Sequence, residues 1–331
     1  MIRQRVLSGV QASGRLHLGN YHGAFETWVT LQKQYECFFF IADWHALTAL
    51  VTEPGKIREY TREAAIDLLA CGLDPEKCTI FVQSEVPQHA ELNLLLGMLT
   101  PVPWLERVPS YKDKKQELSD KDLSSVGFLN YPVLQAADIT IYKASLVPVG
   151  EDQLPHLELT REIVRRFNFI HGSVLVEPRE IVNTVTLLPG LDGRKMSKSY
   201  DNAVYLSDDD ETVRKKFSNA VTDPQRQRRT DPGRPEVCNI FAYHKLYTPE
   251  DRLHEIDRLC RTAGIGCVDC KRELIENFFA FFSAIRARRA KLAQQVPYVR
   301  EVLDRGAQRA REAAEETMTV VREAMKVGWR I

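Results

Sequence analysis

Val6-Leu7-Ser8-Gly9-Val10, followed by Leu16-His17-Leu18-Gly19-Asn20, is the stretch from which the fold is read. The first segment is short and apolar and runs into Gly-containing turn chemistry; the second opens a helix. The order is therefore strand, loop, helix. Further along, Cys37 to Ala42 and Thr79-Ile80-Phe81-Val82-Gln83 are apolar without alternation, the pattern of strands covered on both faces. Between them Ile57, Tyr60, Ala64, Leu68 and Cys71 recur at three- and four-residue steps, after Pro54 and before Gly72, which predicts a covering helix. Strands alternating with helices give an α/β fold with a parallel sheet, and ligands then bind beyond the carboxyl ends of the strands.

A second cycle follows: a helix over Val133 to Tyr142, a strand over Ser145 to Val149, and Glu151-Asp152-Gln153 leading a helix to about Phe167. After residue 205 charged helical segments and an Arg-rich loop, Arg226 to Arg234, replace the strands. Apolar residues at 299, 302, 303, 310, 314, 318, 321 and 325 trace a long terminal helix. The expected organisation is an α/β domain over 1–200, an all-helical second domain over 201–300, and a terminal helix over 301–331 that packs back on the first domain. A chain of 331 residues is long enough for about two domains.

Charged residues make up 27% and hydrophobic ones 44%, which excludes disordered and fibrous classes. Lys+Arg and Asp+Glu are both 45, so no overall field draws the chain to nucleic acid. The distribution is uneven, however. Residues 211–235 hold seven basic against three acidic side chains, and residues 271–300 hold seven against two. A basic late region on an acidic body suits a polyanion partner, although a solvated helix face has the same composition. No stretch approaches the roughly 20 apolar residues of a membrane span, and no leader pattern precedes the first strand, so a cytoplasmic protein without a membrane partner is expected.

His17-Leu18-Gly19-Asn20 combines an imidazole donor, a glycine that admits close approach to the backbone, and a helix amino end with its partial positive charge. Such a group suits phosphate, but four residues alone are weak, since a histidine capping a helix looks the same. Gly193-Arg194-Lys195-Met196-Ser197-Lys198-Ser199 adds ammonium and hydroxyl groups in one short loop, able to stabilise charge as pyrophosphate leaves. Together these segments resemble the two signatures of class I aminoacyl-tRNA synthetases, HIGH and KMSKS. Ser8 to Gly14, Tyr131 to Ile139 and Val147 to Gln153 extend the resemblance, in order, to the tryptophanyl-tRNA synthetase family over nearly the whole chain. Tyrosyl-tRNA synthetases share the signatures, but their Asp-Pro-Thr turn is here Gln11-Ala12-Ser13.

The resemblance implies a Rossmann-like nucleotide-binding domain and a two-step ligase. ATP with Mg2+ activates L-tryptophan to tryptophanyl-adenylate, and the acid then passes to the 3′ end of tRNA(Trp). It implies His17, Lys195 and Lys198 as catalytic residues. ATP contacts are implied for Gln11, Ala12, Ser13, Gly19, Asn20, Gly150, Glu151, Asp152, Leu188, Lys195, Met196, Ser197, Lys198 and Ser199, with Lys112 and Lys114 as a second arm over the phosphates. A homodimer is implied as well. A non-catalytic RNA-binding regulator would have no use for two intact phosphate motifs. A small-molecule adenylyltransferase would need no basic helical domain.

An indole N–H can only donate, so it needs an acceptor. Asp138 offers an acceptor-only carboxylate on an apolar helix, and the resemblance assigns it to the indole nitrogen, with Tyr131, Gln135 and Gln153 around the α-amino group. His45 is a candidate for the same pocket. Gln135 stands where many bacterial members have Met. Separately, Cys238, Cys260, Cys267 and Cys270 are spaced C-x21-C-x6-C-x2-C, which suits four-thiolate zinc or a [4Fe–4S] cluster equally. The resemblance favours the cluster, carried by a subset of bacterial members, with Zn2+ as the alternative.

Overall fold

The computed structural model describes residues 3–108, 125–182, 188–197 and 200–328. The chain divides into two compact units. One contains residues 1–14, 26–184 and 295–331; the other contains residues 15–25 and 185–294. The division falls near 184 and 294, and the segment carrying His17 goes with the second unit.

The first unit is built on five parallel strands: β1 (Arg5–Gln11), β2 (Glu36–Ala42), β3 (Cys78–Val82), β4 (Leu146–Val149) and β5 (Arg179–Val182). Their order is β3-β2-β1-β4-β5. The chain runs outward from β1 through β2 to β3, then returns to β4 on the other side. The strand order therefore reverses between β1 and β4, and Gln11 and Gly150 follow at the carboxyl ends that flank this switch point, where open α/β sheets bind ligands. β2 and β3 are buried along almost their whole length, which is why they lack alternation. β5 is a polar, mostly exposed edge strand that periodicity does not reveal.

A helical run from Leu18 to Leu31 starts as α1 (Leu18–Asn20), continues as a π-helical turn over Tyr21–Phe25 and ends as α2 (Glu26–Leu31). The sheet is flanked by α3 (Asp43–Leu50), α4 (Pro54–Ala70), α5 (Gln88–Gly97), α6 (Val102–Glu106), α7 (Val126–Ile141) and α8 (Leu154–His171). α7 starts earlier than expected because Pro132 lies inside it, where a proline normally signals a boundary. Ser125 caps it, its Oγ accepting the Phe128 N–H at 3.2 Å. Stacked ring pairs, Trp28 on Phe39 at 4.8 Å and Phe38 on Tyr142 at 4.6 Å, bind helices to the sheet.

The second unit is helical, with α9 (Asp210–Asn219), α10 (Asn239–Tyr247), α11 (Glu250–Arg261) and α12 (Cys267–Ala293). Phe217, Tyr243, Tyr247, Phe278 and Phe282 form its aromatic core. The terminal helix α13 (Val296–Met325) belongs to the first unit and lies against β3 and α5. Its buried stripe includes Gly306 and four alanines, which permit close packing, and Arg322 forks onto both Glu91 oxygens at 2.6 Å. No helix among the described residues is long and apolar enough to cross a membrane.

Candidate active site

In the first unit a polar cluster forms where the strands end. Asp138, on α7, is 1% exposed. Its Oδ1 accepts from Gln83 Nε2 at 2.8 Å and from His89 Nδ1 at 2.6 Å, and its Oδ2 from His45 Nε2 at 2.8 Å. Burial pushes the Asp138 carboxyl up, but hydrogen bonds from His45 and His89 outweigh it and hold it at about 2. The group is thus an ionised carboxylate inside the protein, affordable only because donors surround it. Gln83 directly follows β3, and its Oε1 is buried with no hydrogen-bond partner, so the carboxylate sets the orientation of the amide. Gln11, at the end of β1, donates from Nε2 to the His45 carbonyl at 2.6 Å, which ties the first strand to α3.

Tyr131 and Gln135 project from α7 and are half-buried. The Tyr131 hydroxyl lies 3.3 Å from His156 Nε2. Past β4, Glu151 and Asp152 are exposed, and Gln153 donates to Asp152 Oδ2 at 3.1 Å. Gly150 sits so close to Asp152 that a Cβ there would lie 2.8 Å from Oδ1.

The second unit brings the His17 and Lys195 segments together. The His17 segment is zipped to residues 204–206: Leu18 N–H donates to the Val204 carbonyl at 3.0 Å, Leu206 N–H to that of Leu16 at 2.9 Å, and His17 pairs with Tyr205. Asn20 folds back, its Oδ1 accepting the His17 N–H at 3.0 Å. A Cβ on Gly19 would stand 3.0 Å from the His17 ring and 3.7 Å from Met196 Sδ, so the glycine lies between the motifs. Leu188 and Met196 are buried, and Lys195 pairs with Pro189. The loop is held by Asn202, whose Oδ1 accepts the Ser197 N–H at 2.9 Å and whose Nδ2 donates to Asp192 Oδ1 at 2.7 Å and the Lys195 carbonyl at 3.1 Å. Lys198, Ser199, Lys112 and Lys114 lie outside the described residues.

Among the described residues no group of three or more His, Cys, Asp or Glu is arranged to hold a metal ion. The four cysteines nevertheless share one neighbourhood: burial pushes the Cys270 thiol up to about 12, and nearby Cys238, Cys260 and Cys267 add to the rise. Polar groups already engage two of them, with Arg226 Nη1 3.7 Å from Cys260 Sγ and His244 Nε2 3.3 Å from Cys270 Sγ.

Comparison with known proteins follows this geometry. The family model described as tRNA synthetases class I (W and Y) matches residues 3–283. The chain belongs to that family. A Thermotoga maritima tryptophan–tRNA ligase is 50% identical over 325 residues, covering 98% of this chain and 99% of its own. An Aquifex aeolicus tryptophan–tRNA ligase is 42% identical, covering 98% and 100%. Among solved structures, the Campylobacter jejuni tryptophanyl-tRNA synthetase complexed with ADP and tryptophan superposes with a TM-score of 0.89 at 37% identity, over 98% of this chain and 100% of that one. As a class I synthetase of the W and Y group the chain is an enzyme with a Rossmann-like parallel sheet and a helical domain. Gln83, His89, Tyr142 and Asn202 escape a reading of its sequence. Gln83 alone carries a local signal, its place immediately beyond a strand's carboxyl end.

Proposed function

We infer that the chain is a tryptophan–tRNA ligase. It activates L-tryptophan with ATP, taken as the magnesium complex, to tryptophanyl-adenylate and pyrophosphate, and passes the activated acid to the 3′ end of tRNA(Trp). Full-length similarity to ligases of that name carries the reading. Asp138 supports it, since a buried ionised carboxylate is a ready acceptor for an indole N–H. In the reaction the substrate carboxylate attacks the α-phosphorus of ATP, so the protein supplies positioning and charge stabilisation rather than covalent chemistry. His17, Lys195 and Lys198 meet the phosphates, and Tyr131, Gln135 and Gln153 face the α-amino group. The test is amino-acid-dependent ATP–pyrophosphate exchange. Tryptophan supports exchange and tyrosine does not; exchange with tyrosine alone overturns the substrate assignment.

The helical unit is read as the anticodon-binding domain, on the strength of its basic 211–235 and 271–300 segments. Its four cysteines are proposed to hold a [4Fe–4S] cluster, with zinc as the alternative. Such a centre would cross-link α11, α12 and the chain before α10 and so brace the Arg226–Arg234 loop. The motif spacing and shared neighbourhood of the thiols support this. A homodimer is proposed through the face bearing Leu94 on α5, Met98 just after it and Val102 at the start of α6, all more than half exposed.

A further inference from the structure

Asp138 is the centre of a dry hydrogen-bond chain. Gln83, His89 and Tyr142 are fully buried, and Asp138 nearly so. A carboxylate oxygen takes about two donors. Among the described residues Oδ1 has two, Gln83 and His89, whereas Oδ2 has one, His45. His45 is the member of the network with a partly exposed side chain, at 13%, so the oxygen with a remaining acceptor position is the one on the accessible side.

The carboxylate only accepts, so the His89 Nδ1 carries a hydrogen toward it, and Nε2 lies 2.6 Å from the Tyr142 hydroxyl. Burial, helped by the charge of Asp138, keeps Tyr142 protonated, its pKa pushed well above the usual phenol range. Phe40 and Phe81 flank the imidazole, each with its centroid 6.0 Å away, and fix its plane.

We propose that His89, backed by Tyr142, is a positioning residue for amino-acid recognition: it saturates Oδ1 of Asp138 so that Oδ2 alone is offered to the N–H of the substrate side chain. This rests on the reading of Asp138 as the indole acceptor. His89, being buried, acts only through that carboxylate. Its contribution is selectivity, because a site built to bond an N–H strongly rejects a substrate without one. A carboxylate free to turn would spread its acceptors over several directions and discriminate less.

The test compares kcat/KM for tryptophan with that for 3-(benzothienyl)alanine, an isostere whose sulfur replaces the N–H, by pyrophosphate exchange. Asn can place an amide near the Nδ1 position of His, and Gln near Nε2. His89→Gln therefore loses the Asp138 contact, and is expected to raise the KM for tryptophan at least ~10-fold, with KM for ATP within ~2-fold, and to shrink the tryptophan-to-isostere ratio. His89→Asn keeps the donor and restores most of the ratio. Tyr142→Phe removes one hydroxyl without changing shape, shifts both quantities in the same direction by a smaller factor, and serves if His89→Gln does not fold. Equal behaviour of the Gln and Asn variants, or KM for both substrates moving together, overturns the proposal. Asp138→Asn separates the two levels. If it leaves the ratio intact, the Asp138 reading fails; if it collapses the ratio while His89→Gln and Tyr142→Phe do not, only the role of His89 fails.

Discussion

Gly306 of α13 meets the backbone of Ile80 in β3 so closely that a Cβ there would fall 1.8 Å from the Ile80 carbonyl oxygen. No flexible side chain can move aside, so either the strand or the helix must shift. Gly306→Ala is therefore expected to destabilise the protein by about 3 kcal/mol, the upper part of the range for overpacking, despite the better helix propensity of alanine. Urea unfolding measures this. An unchanged midpoint would mean that the helix can slide off β3 at no cost.

From a buried position Asn202 makes two hydrogen bonds to the KMSKS segment and a third to Asp192 just before it. Asn202→Ala should let Lys195 and Ser197 drift, slowing adenylate formation about 10- to 100-fold, the usual consequence of an ångström-scale misplacement. Tryptophan binding, measured by equilibrium dialysis without ATP, should stay within about twofold, because Asn202 belongs to the helical unit and Asp138 to the other. A tryptophan affinity that falls as far as the rate would contradict this assignment.

The Asp138 carboxyl is held at about 2 against an ordinary value of 3.8, a lowering worth about 2 kcal/mol of stability. A depressed carboxyl pKa stabilises the fold above about pH 4 and loses that contribution as pH falls toward 2. The difference in unfolding free energy between the parent and Asp138→Asn should be constant from pH 7 to pH 5 and narrow below pH 4. Denaturant titrations at pH 7, 5 and 3 provide the check, and a difference unchanged at pH 3 would sink it.

Cys267→Ser addresses the proposed metal centre. Tryptophan-dependent exchange should survive, while tRNA charging falls, because Cys238 precedes α10 and Cys260, Cys267 and Cys270 sit on α11 and α12, none of which carries His17, Lys195 or Asp138. Iron content and the visible spectrum of anaerobically purified parent protein identify the centre: broad absorption with bound iron supports the cluster, and a colourless sample containing zinc supports the alternative. Equal loss of exchange and charging would remove the separate role of this region.

Read along the chain, the residues by themselves establish the alternating strands and helices, the parallel sheet and the helical character beyond residue 205, and they single out the two segments proposed to meet the phosphates. These are local properties: β2 and β3 are continuous apolar runs, α4 keeps its helical period, and the His17 and Lys195 segments are contiguous in sequence. The tertiary structure decides what depends on separated residues meeting. It assigns the His17 segment to the helical unit, surrounds Asp138 with donors from positions 45, 83 and 89, and places Asn202 beneath the Lys195 loop. None of these contacts leaves a periodic trace, because a buried charge needs its partners in space and is indifferent to their separation along the chain.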